Sequence, residues 1–244
     1  MRAGGLFRRR ETRPDWDVYL ASRAREARDS RLVNFFSAGV EALSPDTPIG
    51  RVPLAALDLE TTGLDAGRHD IVSIGVMPFT LERIRVREGR YWVLSPRRNL
   101  SEESVAFHHI THSEVAGAPD LSAILDELLA CLSGRLVVVH YRRIERSFLD
   151  AAIRERLGES LLFPVIDTMS LEARIHRQSW WARLRRWLGQ PAASIRLHES
   201  RQRYHLPPYT GHHALVDALA TAELLQAQVA RYHTLETPVG ELWR

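Results

Sequence analysis

Asp58 and Glu60 stand two residues apart in Leu57-Asp-Leu-Glu-Thr-Thr-Gly63. At the period of a β-strand both carboxylates emerge on the same face, and two like charges held that close repel unless a cation lies between them. A hydrated divalent ion answers that need. Two further places in the chain offer similar groups. His140 ends an apolar run and is followed by Glu145, and His212 precedes Asp217 by five residues. Any one of these acids, taken alone, is more simply a surface carboxylate or a helix cap. As a set they are what a fold needs to gather oxygen ligands from distant sequence around hard cations.

The spacing of His212 and Asp217 carries its own information. Five residues of α-helix turn through roughly 500°, so the two side chains share no face if both are helical. His212 is therefore expected in the loop before the helix, where Pro207, Pro208 and Gly211 precede it. A histidine titrating near pH ~6.5 is suited to take a proton from a water held beside Asp217.

These groups need elements to hold them. Leu54 to Leu59 is an apolar run closed by the turn signal Gly63, a buried strand. Ile71 to Phe79 and Ile84 to Leu94 are rich in β-branched and aromatic residues and predict two more strands in an antiparallel meander. Thr111 to Glu114 has capping-box spacing, and Asp120 to Leu132 has helical periodicity. Arg135 to His140 reads as a strand, Ile144 to Leu157 as a helix closed by Gly158, and Val165 to Asp167 as a short strand before a helix opening near Thr168, with Asp167 as its cap. His213 to about Tyr232 reads as a long Ala/Leu-rich helix. Strands first, then strands alternating with helices, imply an α/β fold with a mixed sheet flanked by helices.

The 244 residues suffice for one well-packed domain with extensions. No apolar run is long enough to span a bilayer, and the Arg-rich start lacks the apolar core of a secretory signal. A cytoplasmic location is expected, and the lone Cys131 excludes an intrachain disulfide framework or a cysteine-based zinc site. All 33 basic residues are arginine, but the net charge of +3 is too small to argue for a polyanionic substrate by itself. Residues 1–15 read as a basic tail, and 16–52 as a helical arm and linker. The catalytic domain is expected over 53–233, with 234–244 as a C-terminal tail. Asp15 to about Ala38 predicts one amphipathic helix-like segment, packed on the domain or serving as a partner-binding arm.

From Gln178 to Ser194, Trp180, Trp181, Leu184, Trp187 and Leu188 fall on one helical face, with Arg177, Arg183, Arg185 and Arg186 mostly off it. Such a helix either contacts nucleic acid, a membrane surface or a protein partner, or covers the core beside the active site with its tryptophans. His69, His112, His198 and His205 are read as ordinary surface or structural residues.

The chain resembles the DEDDh family of 3′–5′ exonucleases, the group that includes the proofreading epsilon subunit of bacterial DNA polymerase III. The resemblance covers about Pro53 to Arg231 and rests on LDLETTGLD at 57–65, DIVSIGV at 70–76, FHHIT at 107–111, VVVHYRRIERSFL at 137–149, IDT at 166–168 and HHALVDALATAELL at 212–225. It implies a ribonuclease-H-like five-stranded mixed sheet, two Mg²⁺ or Mn²⁺ ions, and release of nucleoside 5′-monophosphates from DNA 3′ ends, single-stranded or frayed, in repair or proofreading. An RNA-trimming enzyme of the same family, and a catalytically weakened binding module, are the alternatives.

Carried over position by position, the resemblance implies that Asp58 bridges both metals, that Glu60 and Asp217 complete the tighter site, and that Glu145 serves the second through water. His212 becomes the general base. Thr61, Thr62 and Leu64 match positions that hold the terminal nucleotide, and Phe107 and His108 line the same pocket. Two positions depart from the family pattern. His140-Tyr141 and Glu145 stand where the family has His-Asn and an aspartate, and His109 stands where it often has glycine.

Overall fold

A computed structural model describes residues 14–98, 110–209 and 212–243. At its centre is β1 (Leu54–Thr61), which pairs antiparallel with β2 (Ile71–Phe79) and parallel with β4 (Leu136–Val139). β3 (Arg90–Val93) adds to β2 antiparallel and β5 (Val165–Asp167) to β4 parallel, giving the order β3-β2-β1-β4-β5. The second predicted strand is shorter than expected. Only Ile84 bridges back to Phe79, and Val86–Glu88 is a 3₁₀ turn that carries the chain to β3.

The alternation along β1 divides the core. Ala55, Leu57 and Leu59 point into one layer, with Leu125 and Leu128 of α4 (Leu121–Leu132) and Phe148 and Leu149 of α5 (Arg142–Leu157). Leu54 and Ala56 point into the other, against Ala218, Ala222 and Leu225 of α9 (Ala214–Tyr232). Asp58 and Glu60 continue this second parity, so the sequence period sends both carboxylates towards the layer that α9 covers. Between these elements lie α3 (His112–Ala116), opened by a complete Thr111/Glu114 capping box, α6 (Thr168–Ala173), α7 (Trp180–Trp187) and α8 (Leu197–Arg203).

The segment expected as one N-terminal helix is two, α1 (Trp16–Glu26) and α2 (Ser30–Ala42). The break has a physical cause. Asp29 caps α2 by accepting from Arg31 N at 2.9 Å, and the buried Glu159 carboxylate accepts from Arg28 N at 3.0 Å and Asp29 N at 2.9 Å. Leu20, Leu32, Phe35 and Phe36 of this pair lie in the same apolar layer as α4 and α5.

Residues 45–50 run beside 235–240, with Ile49 N donating to Thr237 O and Val239 N to Thr47 O, both at 2.9 Å. Trp243 then bridges Ile166 along the outer side of β5, covering an edge that would otherwise stand open. No helix among the described residues is long and apolar enough to cross a membrane.

Candidate active site

β1 presents Asp58 and Glu60, and two structural features bring the distant Asp217 to them. Asp58 pairs with Gly75 across β1 and β2, and Gly75 pairs with Tyr91 across β2 and β3. A Cβ at Gly75 would collide with the backbone of Ala214 and Leu215, so only glycine lets the first turn of α9 rest directly on the sheet at this row. Tyr91 stacks on His213 with ring centroids 4.2 Å apart, fixing the residue that begins the helix. Asp217 consequently sits in the first turn of α9, where the helix dipole favours a negative charge.

His212 lies in the loop before α9, its Nδ1 3.9 Å from Asp217 Oδ2. One ligand atom each from Glu60, His212 and Asp217 lie within 4.8 Å of one another. Glu145 belongs to the first turn of α5 and is 3 % exposed, and its Oε2 has no hydrogen-bond partner among the described residues.

The electrostatics record how closely the acids are gathered. Burial drives the Asp58 carboxyl well above the usual carboxylate range, and the charges of Asp217, Glu60 and Glu145 push the same way. Glu60 is pushed up to about 8 by burial and then by Asp217. Asp217 is raised by burial, with His212, His213 and Arg201 pulling against the rise. Burial also raises Glu145 well above its ordinary range, and Asp167 adds to the rise.

The carboxylates are hard oxygen donors, the kind that Mg²⁺ and Mn²⁺ take. The orphaned Glu145 Oε2 and the mutual repulsion around Asp58 are both relieved by cations. The residues therefore fit divalent metal ions.

A cleft that reaches Asp58 and Asp217 has a volume of about 440 Å³. Asp58, His212 and Asp217 line it together with Arg196, His198 and Arg201. Arg201 is itself buried, pairs with Glu223 at 2.7 Å and donates to Pro207 O at 2.8 Å, anchoring the start of the loop that carries His212. Burial lowers the pKa of His140 to about 4, and its ring is held between Thr168 Oγ1 at 2.8 Å and Ile195 O at 3.1 Å. His140 thus ties the end of β4 to the wall formed by 195–198.

Asp167 is a cap: it accepts from Met169 N at 3.1 Å and Ser170 N at 3.2 Å, and also from Tyr141 N. That last bond helps hold Tyr141 at φ 99°, a conformation rare for a bulky residue.

The expected nucleotide-holding residues are distributed unevenly. Thr61 Oγ1 donates to Gly63 O at 2.7 Å, and the Thr62 hydroxyl accepts from Asp70 N at 3.0 Å, so both threonines brace the turn after β1. Leu64, beyond them, is 85 % exposed. Phe107 and His108 lie outside the described residues, as does His109. Arg196 and Arg201 were not singled out by their sequence context, and His198, read as an ordinary residue, stands on the cleft wall. Their only local signal is the Arg-rich run at 196–203, which looks like any solvated helix until it is folded against α9.

Comparison with known proteins agrees with this architecture. The chain is 26% identical over 196 residues to a PolC-type DNA polymerase III of Thermotoga maritima, covering 80% of this chain and 13% of that one. It is 24% identical over 181 residues to the DNA polymerase III subunit epsilon of Treponema pallidum, covering 74% and 78%. The chain thus spans about an eighth of the PolC-type relatives and most of the epsilon subunit.

Among solved structures, exonuclease X in complex with 5′ overhanging duplex DNA superposes with a TM-score of 0.56 at 23% identity, over 76% of this chain and 96% of that one. The nuclease domain of 3′hExo, a DEDDh member bound to rAMP, gives 0.59 at 13% identity, over 74% and 92%. These likenesses establish the ribonuclease-H-like fold. The exonuclease family model RNase_T matches residues 55–225, from the start of β1 into α9, and the chain belongs to that exonuclease family.

Proposed function

We propose that the protein is a 3′–5′ exonuclease that releases nucleoside 5′-monophosphates from DNA 3′ ends, using two divalent cations, Mg²⁺ or Mn²⁺. The observation that carries this reading is the convergence of Asp58, Glu60, Glu145 and Asp217, from one strand and two helices, where Asp58 and Asp217 line a cleft that also holds a loop histidine. Asp58, Glu60 and Asp217 would hold the cations, with Glu145 completing the second position. When bound, the cations lower the pKa of the attacking water and stabilise the leaving 3′-oxygen, so no covalent enzyme intermediate is needed.

The remaining work falls to the protein. His212 accepts the proton of the attacking water, which its place in a loop and its 3.9 Å separation from Asp217 allow. Leu64, exposed beyond the end of β1, meets the terminal base, and Arg196, which lines the cleft, meets the phosphodiester. The names of the relatives, DNA polymerase III chains, favour DNA and a role in proofreading or repair for this chain too.

The test is a 5′-labelled oligonucleotide incubated with purified protein and Mn²⁺ or Mg²⁺. The expected product is a ladder shortening from the 3′ end with mononucleotide release, and Asp58→Asn is expected to cut the rate by more than about a hundredfold. Equal rates for wild type and variant overturn the reading. Matched DNA and RNA oligomers in the same assay decide the sugar, because discrimination depends on contacts at the terminal 2′-position.

A further inference from the structure

From Arg174 to His198 the chain carries six arginines and neither an aspartate nor a glutamate. The central part of this stretch, α7, has no buried residue. Trp180, Trp181 and Trp187 are 63, 60 and 81 % exposed, so they do not cover the core. Trp180 and Trp181 stack on each other at 3.8 Å. Between α7 and the returning chain is a groove of about 800 Å³, lined by His176, Trp181, Arg185, Arg186 and Pro191. Flat aromatic faces beside Arg185 and Arg186, on a surface of this size, call for an occupant.

We propose that α7 and its groove bind the single strand of nucleic acid that runs 5′ of the scissile nucleotide. This rests on the reading of the cleft as a nuclease site. Two observations favour a strand over an anionic bilayer. The site is a groove, which admits a strand, whereas an interfacial helix meets a bilayer with a convex apolar face. The chain leaving it continues into the cleft: Ile195 O is held by His140, and Arg196 and His198 just beyond line the same cleft as Asp58. The arginines along that path add positive charge that phosphates of either kind would meet. Aromatic rings supply base stacking and arginines supply phosphate contacts, the combination by which proteins hold single strands without regard to sequence.

The experiment compares wild type with Trp181→Ala/Arg185→Ala/Arg186→Ala, all at exposed positions. It uses labelled dT20 and U20, and the dinucleotides dTdT and UU, which reach only the cleft. Two quantities are read: the ratio of kcat/KM for the 20-mer to that for the dinucleotide, and the Kd for the 20-mer in EDTA. The ratio is expected to fall, and the Kd to rise, by about tenfold or more on the better 20-mer. The slope of log Kd against log salt is expected to lessen by roughly 0.7 for each phosphate contact removed.

An unchanged ratio and Kd overturn the proposal. So does a loss confined to cosedimentation with phosphatidylglycerol vesicles, which assigns the surface to lipid. If the triple variant melts lower than wild type, Arg185→Glu/Arg186→Glu gives the same readings with the tryptophans intact. Should wild type cut none of the substrates, it is the nuclease reading that fails, and the Kd comparison still decides the platform.

Discussion

Glu145 combines a buried position, a carboxylate oxygen without a hydrogen bond and a strongly raised pKa. Holding such a group costs stability, and the cost is greatest when no cation is bound. Glu145→Gln is therefore expected to stabilise the metal-free protein by about 1–3 kcal/mol while weakening Mn²⁺ binding, measured by urea unfolding in EDTA and by calorimetry. A lower unfolding midpoint for the variant in EDTA would show that the charged form is wanted for folding itself.

Glu60 gives a related pH prediction. Its pKa rises on folding from 4.5 to about 8, so between those values the folded state binds more protons than the unfolded one. Stability in EDTA is then expected to be fully present below pH 4.5 as far as this group is concerned, and to be lost as pH rises towards 8. Mn²⁺ removes that loss by binding the ionised form. Melting temperatures across this window, with and without metal, check both halves of the prediction.

At the scale of elements, the row Asp58, Gly75, Tyr91 does for α9 what no single residue does. It lets the helix begin against the sheet, pins His213 by stacking, and delivers Asp217 to the acids of β1. Gly75→Ala inserts a methyl group where the backbone of Ala214 and Leu215 already lies. The expected result is a loss of about 1–3 kcal/mol, together with a metal affinity reduced more than that of a comparable core variant, because the lifted helix carries Asp217 with it. Calorimetric titration with Mn²⁺, paired with thermal melts, separates the two effects. Arg201 acts on the other side of the same helix, tying Pro207 and Glu223 together so that the entry to the His212 loop has a fixed origin.

At the scale of the molecule, the catalytic sheet is wrapped by both ends of the described chain. Glu159 accepts from the backbone at Arg28 and Asp29 and from the Arg23 guanidinium, at 3.3 Å in the last case, and so joins the α1–α2 corner to the body. Glu159→Ala leaves those donors without their acceptor and is expected to cost about 1–3 kcal/mol, seen as a lower urea midpoint. An unchanged midpoint would mean that the corner is held by its apolar contacts alone. At the opposite seam, Val239, Leu242 and Trp243 are buried against the layer that contains α9, so the last turn of the chain contributes to the core that supports Asp217.

Much of this was legible in the sequence. Apolar period and turn residues placed the meander, the two parallel strands and the long last helix, because each of those signals is local. The five-residue spacing pointed His212 to the loop before the helix that bears Asp217, since two helical residues five apart share no face. The outer elements were less legible. The N-terminal segment divides in two because Glu159, some 130 residues away, receives the amides at the break. The tryptophans of α7 face outward because nothing in the body meets them, and an amphipathic pattern states only that a face is apolar, never what covers it. The sequence by itself determined which groups could do the chemistry and which strand and helices would carry them. Only the tertiary structure decided that a missing side chain at Gly75 brings those elements into contact, and that Arg196, His198 and Arg201 join the lining of the cleft, because contact between distant segments is settled by packing and leaves no local period to read.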